Sequence, residues 1–247
     1  MDKNSQQLSA IRQQIDSIDN QMLQLIDQRL GLAKSLSSLK PADRDPWSPA
    51  REHALLQRLL DQKSDTFPAK TMISMWSALI TCSLMTQGPM VLLCQNAKMT
   101  SWAQMAFPGA PTDALDDENW ILQTCNTKGA IAVVEFPNNN QNWWVDLAKP
   151  TLKLYVQTTL PKWPANNPKA CCLSVDKPLF REGQVCWTII DQRAELPVDA
   201  VQITSAKGLV LIETKSPIDS GLSTGDGWQE PTFIGCFFAS LVHESIK

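Results

Sequence analysis

The sequence predicts two units: an all-α N-terminal unit of three helices over residues 1–89 and a C-terminal α/β domain over residues 90–247. Three observations carry this division. Residues 8–87 contain one glycine, and prolines only at 41, 46, 49 and 68. Within that stretch apolar residues recur at helical spacing. After residue 90 the texture changes to short β-rich runs separated by Pro, Asn and Gly.

The first helix is predicted over about Leu8 to Lys40. Ile11, Ile15, Ile18, Met22, Leu25, Leu32 and Leu36 follow a 4-3-4-3 spacing, the seam of a long helix packing lengthwise on others. Such a rod spans about 48 Å at about 1.5 Å per residue, so its stripe needs partners. Pro41 ends it. Ser48-Pro49 reads as the N-cap and first residue of a second helix, with Leu55, Leu56, Leu59 and Leu60 on its apolar face. Pro68 opens a third through Met72, Ile73, Trp76, Leu79, Ile80 and Leu84, stopped by Gly88-Pro89. One long helix and two shorter ones make an open unit that is incomplete alone.

Beyond residue 90, strands are predicted at 91–95, 130–136, 152–157, 171–175, 185–190, 209–214 and 233–238. Helical stretches fall at 101–107 and 116–127. No internal repeat is visible.

Composition excludes several classes of function. Hydrophobic residues make up 43% of the 247, enough for a real core, and a net charge of −3 exerts no pull toward nucleic acid or an anionic membrane. No spanning run of about 20 apolar residues occurs, and the polar start MDKNSQQLS predicts no signal peptide. The seven cysteines form no C-x-x-C pair and read as reduced thiols of a cytoplasmic protein. His53 and His243 are too isolated for a triad or metal cluster, so neither metal nor cofactor is expected.

Continuing the seam from Leu25 to Leu32 puts Arg29 where an aliphatic residue belongs, and a charge there is costly unless paired. It either snorkels or pairs with a residue such as Glu52, or it projects into a polar pocket awaiting an anion. Lys40, eleven residues on, shares its face. Arg12 lies seventeen residues before Arg29, about 25 Å along the same rod, too far to serve the same small site from its own chain; in an antiparallel dimer it could serve the other chain's site. Arg51-Glu52 opens the second helix, where a surface pair is the plain reading. Ser83 and Gln87 stand one turn apart on the third, where a polar i, i+4 pair usually faces solvent.

Taken together, the run Ile11-Arg12-Gln13-Gln14-Ile15-Asp16-Ser17-Ile18-Asp19, then Gln28-Arg29-Leu30, Lys40, Ser48-Pro49-Ala50-Arg51-Glu52 and Ser83-x-x-x-Gln87 resembles the all-helical chorismate mutase class. The resemblance covers residues 5–88, a third of the chain. It implies an intertwined homodimer with two equivalent sites. Each takes Arg29, Lys40, Ser48, Arg51, Glu52, Ser83 and Gln87 from one subunit and Arg12 from the other. One position departs from the pattern: Ser48 stands where the family usually has Asp. Ser48 can still cap the helix, but a contact to the substrate's ring hydroxyl is weakened or replaced.

The reaction so implied is the Claisen rearrangement of chorismate to prephenate in aromatic amino-acid biosynthesis. It needs no nucleophile, proton shuttle or cofactor. Arg12, Arg29 and Arg51 would clamp the two carboxylates, with Ser83 adding a neutral hydrogen bond. Lys40 and Gln87 would stabilise charge developing on the ether oxygen, and Glu52 would accept a hydrogen bond from the substrate's hydroxyl.

Residues 90–247 resemble, faintly, the start of a prephenate dehydratase. The family's Thr-Arg-Phe motif is absent, with Ala170-Cys171-Cys172 about where it should fall, and Glu213-Thr214-Lys215-Ser216-Pro217 only loosely echoes its effector motif. A degenerate relative kept for binding, regulation or dimer support is expected. The alternatives are a bifunctional mutase–dehydratase, an isochorismate pyruvate-lyase on the same scaffold, and a non-catalytic regulator binding a dicarboxylate.

Overall fold

The computed structural model describes residues 3–39, 46–116, 118–149, 153–163, 167–218, 225, 227–239 and 241. Three helices come first: α1 (Lys3–Ser37), α2 (Pro49–Gln62) and α3 (Ala69–Gln87). The expected α/β region follows, built on one nine-stranded sheet. Its elements are β1 (Val91–Cys94), α4 (Ala97–Ala106), β2 (Thr112–Ala114), α5 (Trp120–Asn126), β3 (Ala130–Glu135), a 3-10 turn (Trp143–Ala148), β4 (Tyr155–Leu160), β5 (Ala170–Ser174), β6 (Val185–Asp191), β7 (Val201–Ala206), β8 (Leu209–Thr214) and β9 (Thr232–Phe237).

The sheet runs β2-β1-β3-β5-β4-β9-β6-β8-β7. β1 lies parallel to both β2 and β3, and β4 parallel to β9, while the other neighbours are antiparallel. Along each inner strand, successive side chains enter two different cores. Leu92 and Cys94, Ile131 and Val133, Ala170 and Cys172 face one; Leu93, Ala132, Val134, Cys171 and Leu173 face the other. This is why these strands read as continuous apolar runs rather than alternating ones.

The covers of the two faces decide the architecture. The second face is closed by α5 and the 3-10 turn, with Trp120, Ile121, Trp143 and Trp144 buried among the strand residues. The first is closed by α4 together with α2 and α3: Leu56, Leu60, Met72, Ile73, Ile80 and Leu84 share one core with Leu92, Met99, Phe107, Ile131 and Cys172. The helical region is thus a layer of the α/β structure. At the junction Gly129, with φ of 71°, lies so close to Pro89 that a Cβ there would sit 2.0 Å from the Pro89 carbonyl oxygen. Only glycine fits that approach.

α1 behaves differently. Its single buried residue is Ala33. The predicted seam is exposed along its length, from 38% at Leu36 to 71% at Leu32, with Ile11, Ile15 and Ile18 all above half.

Several boundaries differ from the sequence-based expectations, for local reasons. α1 ends at Ser37, short of Lys40. Ser35, Ser37 and Ser38 turn their hydroxyls back onto carbonyls three or four residues earlier, and the Leu39 amide bonds the Leu36 carbonyl in a tightened last turn. α4 starts at Ala97 because the Asn96 side chain accepts the Met99 amide at 3.0 Å. α5 starts only at Trp120, since the Asp116 carboxylate engages the amides of Glu118 and Asn119 in a turn. The edge strands β2 and β7 were not legible: one has three residues, and the other pairs on one side and leaves Val201 58% exposed. Ser48 occupies the N-cap position of α2 but makes no side-chain capping bond, so the expected cap is not formed.

Because α2 and the sheet share a core, Leu56→Ala is expected to cost about 3 kcal/mol. In urea, helical circular dichroism and tryptophan fluorescence should fall in one coincident transition. Separate transitions would show that the helical layer unfolds independently.

Candidate functional site

Arg29 leaves the seam of α1 toward α3. Its Nη1 donates to the Leu79 carbonyl at 3.1 Å and to Ser83 Oγ. Ser83 Oγ in turn donates to the Leu79 carbonyl at 2.7 Å, so its proton is committed to the helix and its lone pair to the arginine. One turn on, Gln87 Nε2 donates to the Ser83 carbonyl at 2.9 Å. Helical spacing thus places Leu79, Ser83 and Gln87 in a row along the face of α3 turned to Arg29.

The electrostatics of this row favour an anion. Burial pulls the Arg29 guanidinium below its ordinary range; the Cys82 thiol opposes that shift and the charge of Arg51 adds to it. An arginine stays protonated in any protein, so the shift measures how poorly its charge is solvated. Among the described residues no carboxylate reaches Arg29: the ion pairs are Lys149–Asp146, Lys162–Glu52 and Arg193–Asp191. The internal pairing of Arg29 with Glu52 is not formed.

Glu52 points elsewhere. Only 8% exposed, its Oε1 accepts from Lys162 Nζ and its Oε2 from Trp47 Nε1 at 3.3 Å. Lys162 follows β4, donates also to the Ala106 carbonyl at 3.1 Å, and lies 4.4 Å from the centroid of the Phe107 ring. Both oxygens of the carboxylate are thereby committed to the α/β side of α2.

The structure brings together Arg29, Ser83 and Gln87, with Arg51 close enough for its charge to be felt. It does not bring Arg12 to them: Arg12 is exposed on the uninterrupted α1, about 25 Å along the axis at about 1.5 Å per residue. Ser48 is half-buried at the start of α2. Lys40 lies outside the described residues. Sequence reasoning missed Lys162 and Trp47 as the partners of Glu52. The lysine is 110 residues away, and a contact of that separation leaves no periodic signal.

Residues 11–88 match the family model of chorismate mutase type II. The match ends with α3 and supports chorismate mutase activity, and so an isomerase, for the helical region. No curated protein matches the chain. A solved structure described as "GqqA- a novel type of quorum quenching acylases" is similar at 9% identity and a TM-score of 0.39, over 60% of this chain and 94% of that one. So weak a likeness carries no argument. The faint dehydratase resemblance of residues 90–247 is not confirmed; that region is the sheet-rich fold described above. Among the described residues no helix is long and apolar enough to cross a membrane.

Next to Glu52, the His53 ring stacks on Phe238 with centroids 4.2 Å apart and planes 9° from parallel. Burial holds its pKa below the ordinary 6.5, against the pull of Glu52. The unfolded chain therefore takes up this proton more readily than the folded one, and the associated stability is lost as pH falls through and below 6.5. Urea denaturation at pH of about 7.5 and about 5.5 should show wild type losing more stability than His53→Gln. Equal losses in the two proteins would refute the assignment.

Proposed function

We propose that the helical region catalyses the rearrangement of chorismate to prephenate, at a site completed by a second copy of the chain. The observation that carries this reading is Arg29: a guanidinium in an apolar seam, hydrogen-bonded to Ser83, within reach of the charge of Arg51, and with no carboxylate on it among the described residues. Such a cation wants a dianion, and chorismate carries two carboxylates. The family match over residues 11–88 supports the same substrate.

The chemistry is intramolecular, so the site must hold a compact conformer and stabilise charge as the C–O bond breaks and the new C–C bond forms. Arg29, held by Ser83 Oγ, and Arg51 would clamp one or both carboxylates. Gln87 and Lys40, which the resemblance assigns to the ether oxygen, would donate hydrogen bonds that strengthen as negative charge grows there. Gln87 has a suitable location, at the end of the row that begins with Leu79. Lys40 follows α1 within three residues of its end at Ser37. Removing one such donor costs about 3 kcal/mol or more, a rate loss of at least about a hundredfold. Purified Arg29→Ala and Lys40→Ala should each lose turnover by that factor while keeping their helical content, followed by chorismate absorbance. Chorismate binding without loss of chorismate in wild type would instead make the arginines a non-catalytic receptor.

The partner is proposed from α1. An exposed apolar stripe along a helix of about 52 Å is the mark of an interface. An antiparallel second α1 would bury it and carry Arg12 to the distant Arg29. Complementation tests the shared site. In a refolded equimolar mixture of Arg12→Ala and Arg29→Ala chains, half the dimers are mixed and one of their two sites is intact. About a quarter of wild-type activity should return from two inactive parents. Recovery of none would show that Arg12 is not supplied across the dimer, and an active Arg12→Ala parent would place it outside the site.

A further inference from the structure

Glu52 and Lys162 raise a question that the proposed function leaves open. The pair is almost wholly buried, with the two side chains 7% and 11% exposed, and it joins the first turn of α2 to the turn after β4. Buried charges are costly unless their remaining hydrogen-bonding capacity is met. Here the partners are supplied: Trp47 Nε1 takes the second carboxylate oxygen, and the Ala106 carbonyl and the Phe107 ring take the ammonium. Trp47 itself packs edge-on against Phe107, at 5.5 Å between centroids and 78° between planes. The cluster reads as a fixed joint between the α/β region and α2.

We infer that Lys162 is a positioning residue for the helical site: by holding Glu52, it fixes the first turn of α2 and with it the direction in which Arg51 leaves the helix. The geometry is direct. Arg51 and Glu52 are neighbours on one helical turn, so with Glu52 locked toward the sheet, Arg51 is directed about 100° around the axis. Arg51 is exposed and has no ion-pair partner among the described residues, so its direction rests on the helix that carries it. Ser48, at the N-cap of the same turn, makes no side-chain capping bond to hold that turn in place. The turn is held from outside through Glu52 by Lys162 and, one residue on, by the stack of His53 on Phe238. On this view Glu52 serves the site through α2 rather than by touching substrate.

The inference rests on the proposed reaction for its kinetic readout, and has a second readout that does not. In Lys162→Met, KM for chorismate should rise about tenfold with kcat within about twofold, because the clamp is misplaced while the donors on α3 stay put. Lys162→Arg should restore KM close to wild type. The double variant Glu52→Gln, Lys162→Met removes both charges and leaves no buried unpaired carboxylate. It should fold and show the same rise in KM. Amide hydrogen exchange of residues 52–55 should speed up in Lys162→Met relative to residues 72–84. An unchanged KM in the folded variants, or a lower KM in Lys162→Met as expected if a freed Glu52 bound substrate directly, overturns the proposal. So does unchanged exchange at 52–55. If wild type fails to turn over chorismate at all, the proposed reaction falls, and the exchange experiment alone judges the anchor.

Discussion

The interaction on which the rest of the structure depends is the burial of a strongly apolar sheet on both of its faces. β1, β3 and β5 send side chains alternately to two cores, and neither face can be left to water without exposing several fully buried aliphatic groups. One face is covered locally, by α5 and the tryptophan-rich 3-10 turn that lie between and beside the strands they cover. The other needs α2 and α3, which precede the whole sheet in the chain. The placement of Ser83, Gln87 and Arg51 is therefore inherited from sheet packing: the buried face of each helix is spent on the sheet, and the polar residues occupy what remains.

The same constraint explains why α1 differs from its neighbours. α2 and α3 bury their apolar residues within the chain, whereas α1 buries Ala33 alone and shows its seam to solvent. The face of α1 with reduced exposure carries Ile26, Arg29, Leu30 and Ala33, and within it Arg29 makes the hydrogen bonds to α3. The apolar stripe of Ile11, Ile15, Ile18, Leu25 and Leu32 is left exposed.

Much of this was legible in the sequence, and the limits were physical. The period of α1, the proline at the head of α2 and the Gly88-Pro89 stop are local signals, and each helix lies where they place it. The inner strands stand out because burial on both faces concentrates β-branched and aliphatic residues. β2 and β7 are edges, short or half-solvated, and carry no such concentration. Arg29 was visible as an exception to a period. Glu52 was visible only as half of a surface pair, because its partners, Trp47 and Lys162, are set by tertiary packing. Ser48 at an N-cap position was a fair expectation from residue type; whether the hydroxyl bonds the backbone depends on a rotamer that sequence does not encode.

The shared core has a practical consequence for anyone dissecting the protein. Composition changes sharply at Gly88-Pro89, and that is where an engineer would place a stop codon to isolate the helical region. The fragment so released would present Leu56, Leu60, Met72, Ile80 and Leu84 to solvent in addition to the seam of α1. It would add a second sticky surface to the exposed seam of α1. A soluble minimal version would have to be redesigned along α2 and α3 rather than merely cut out.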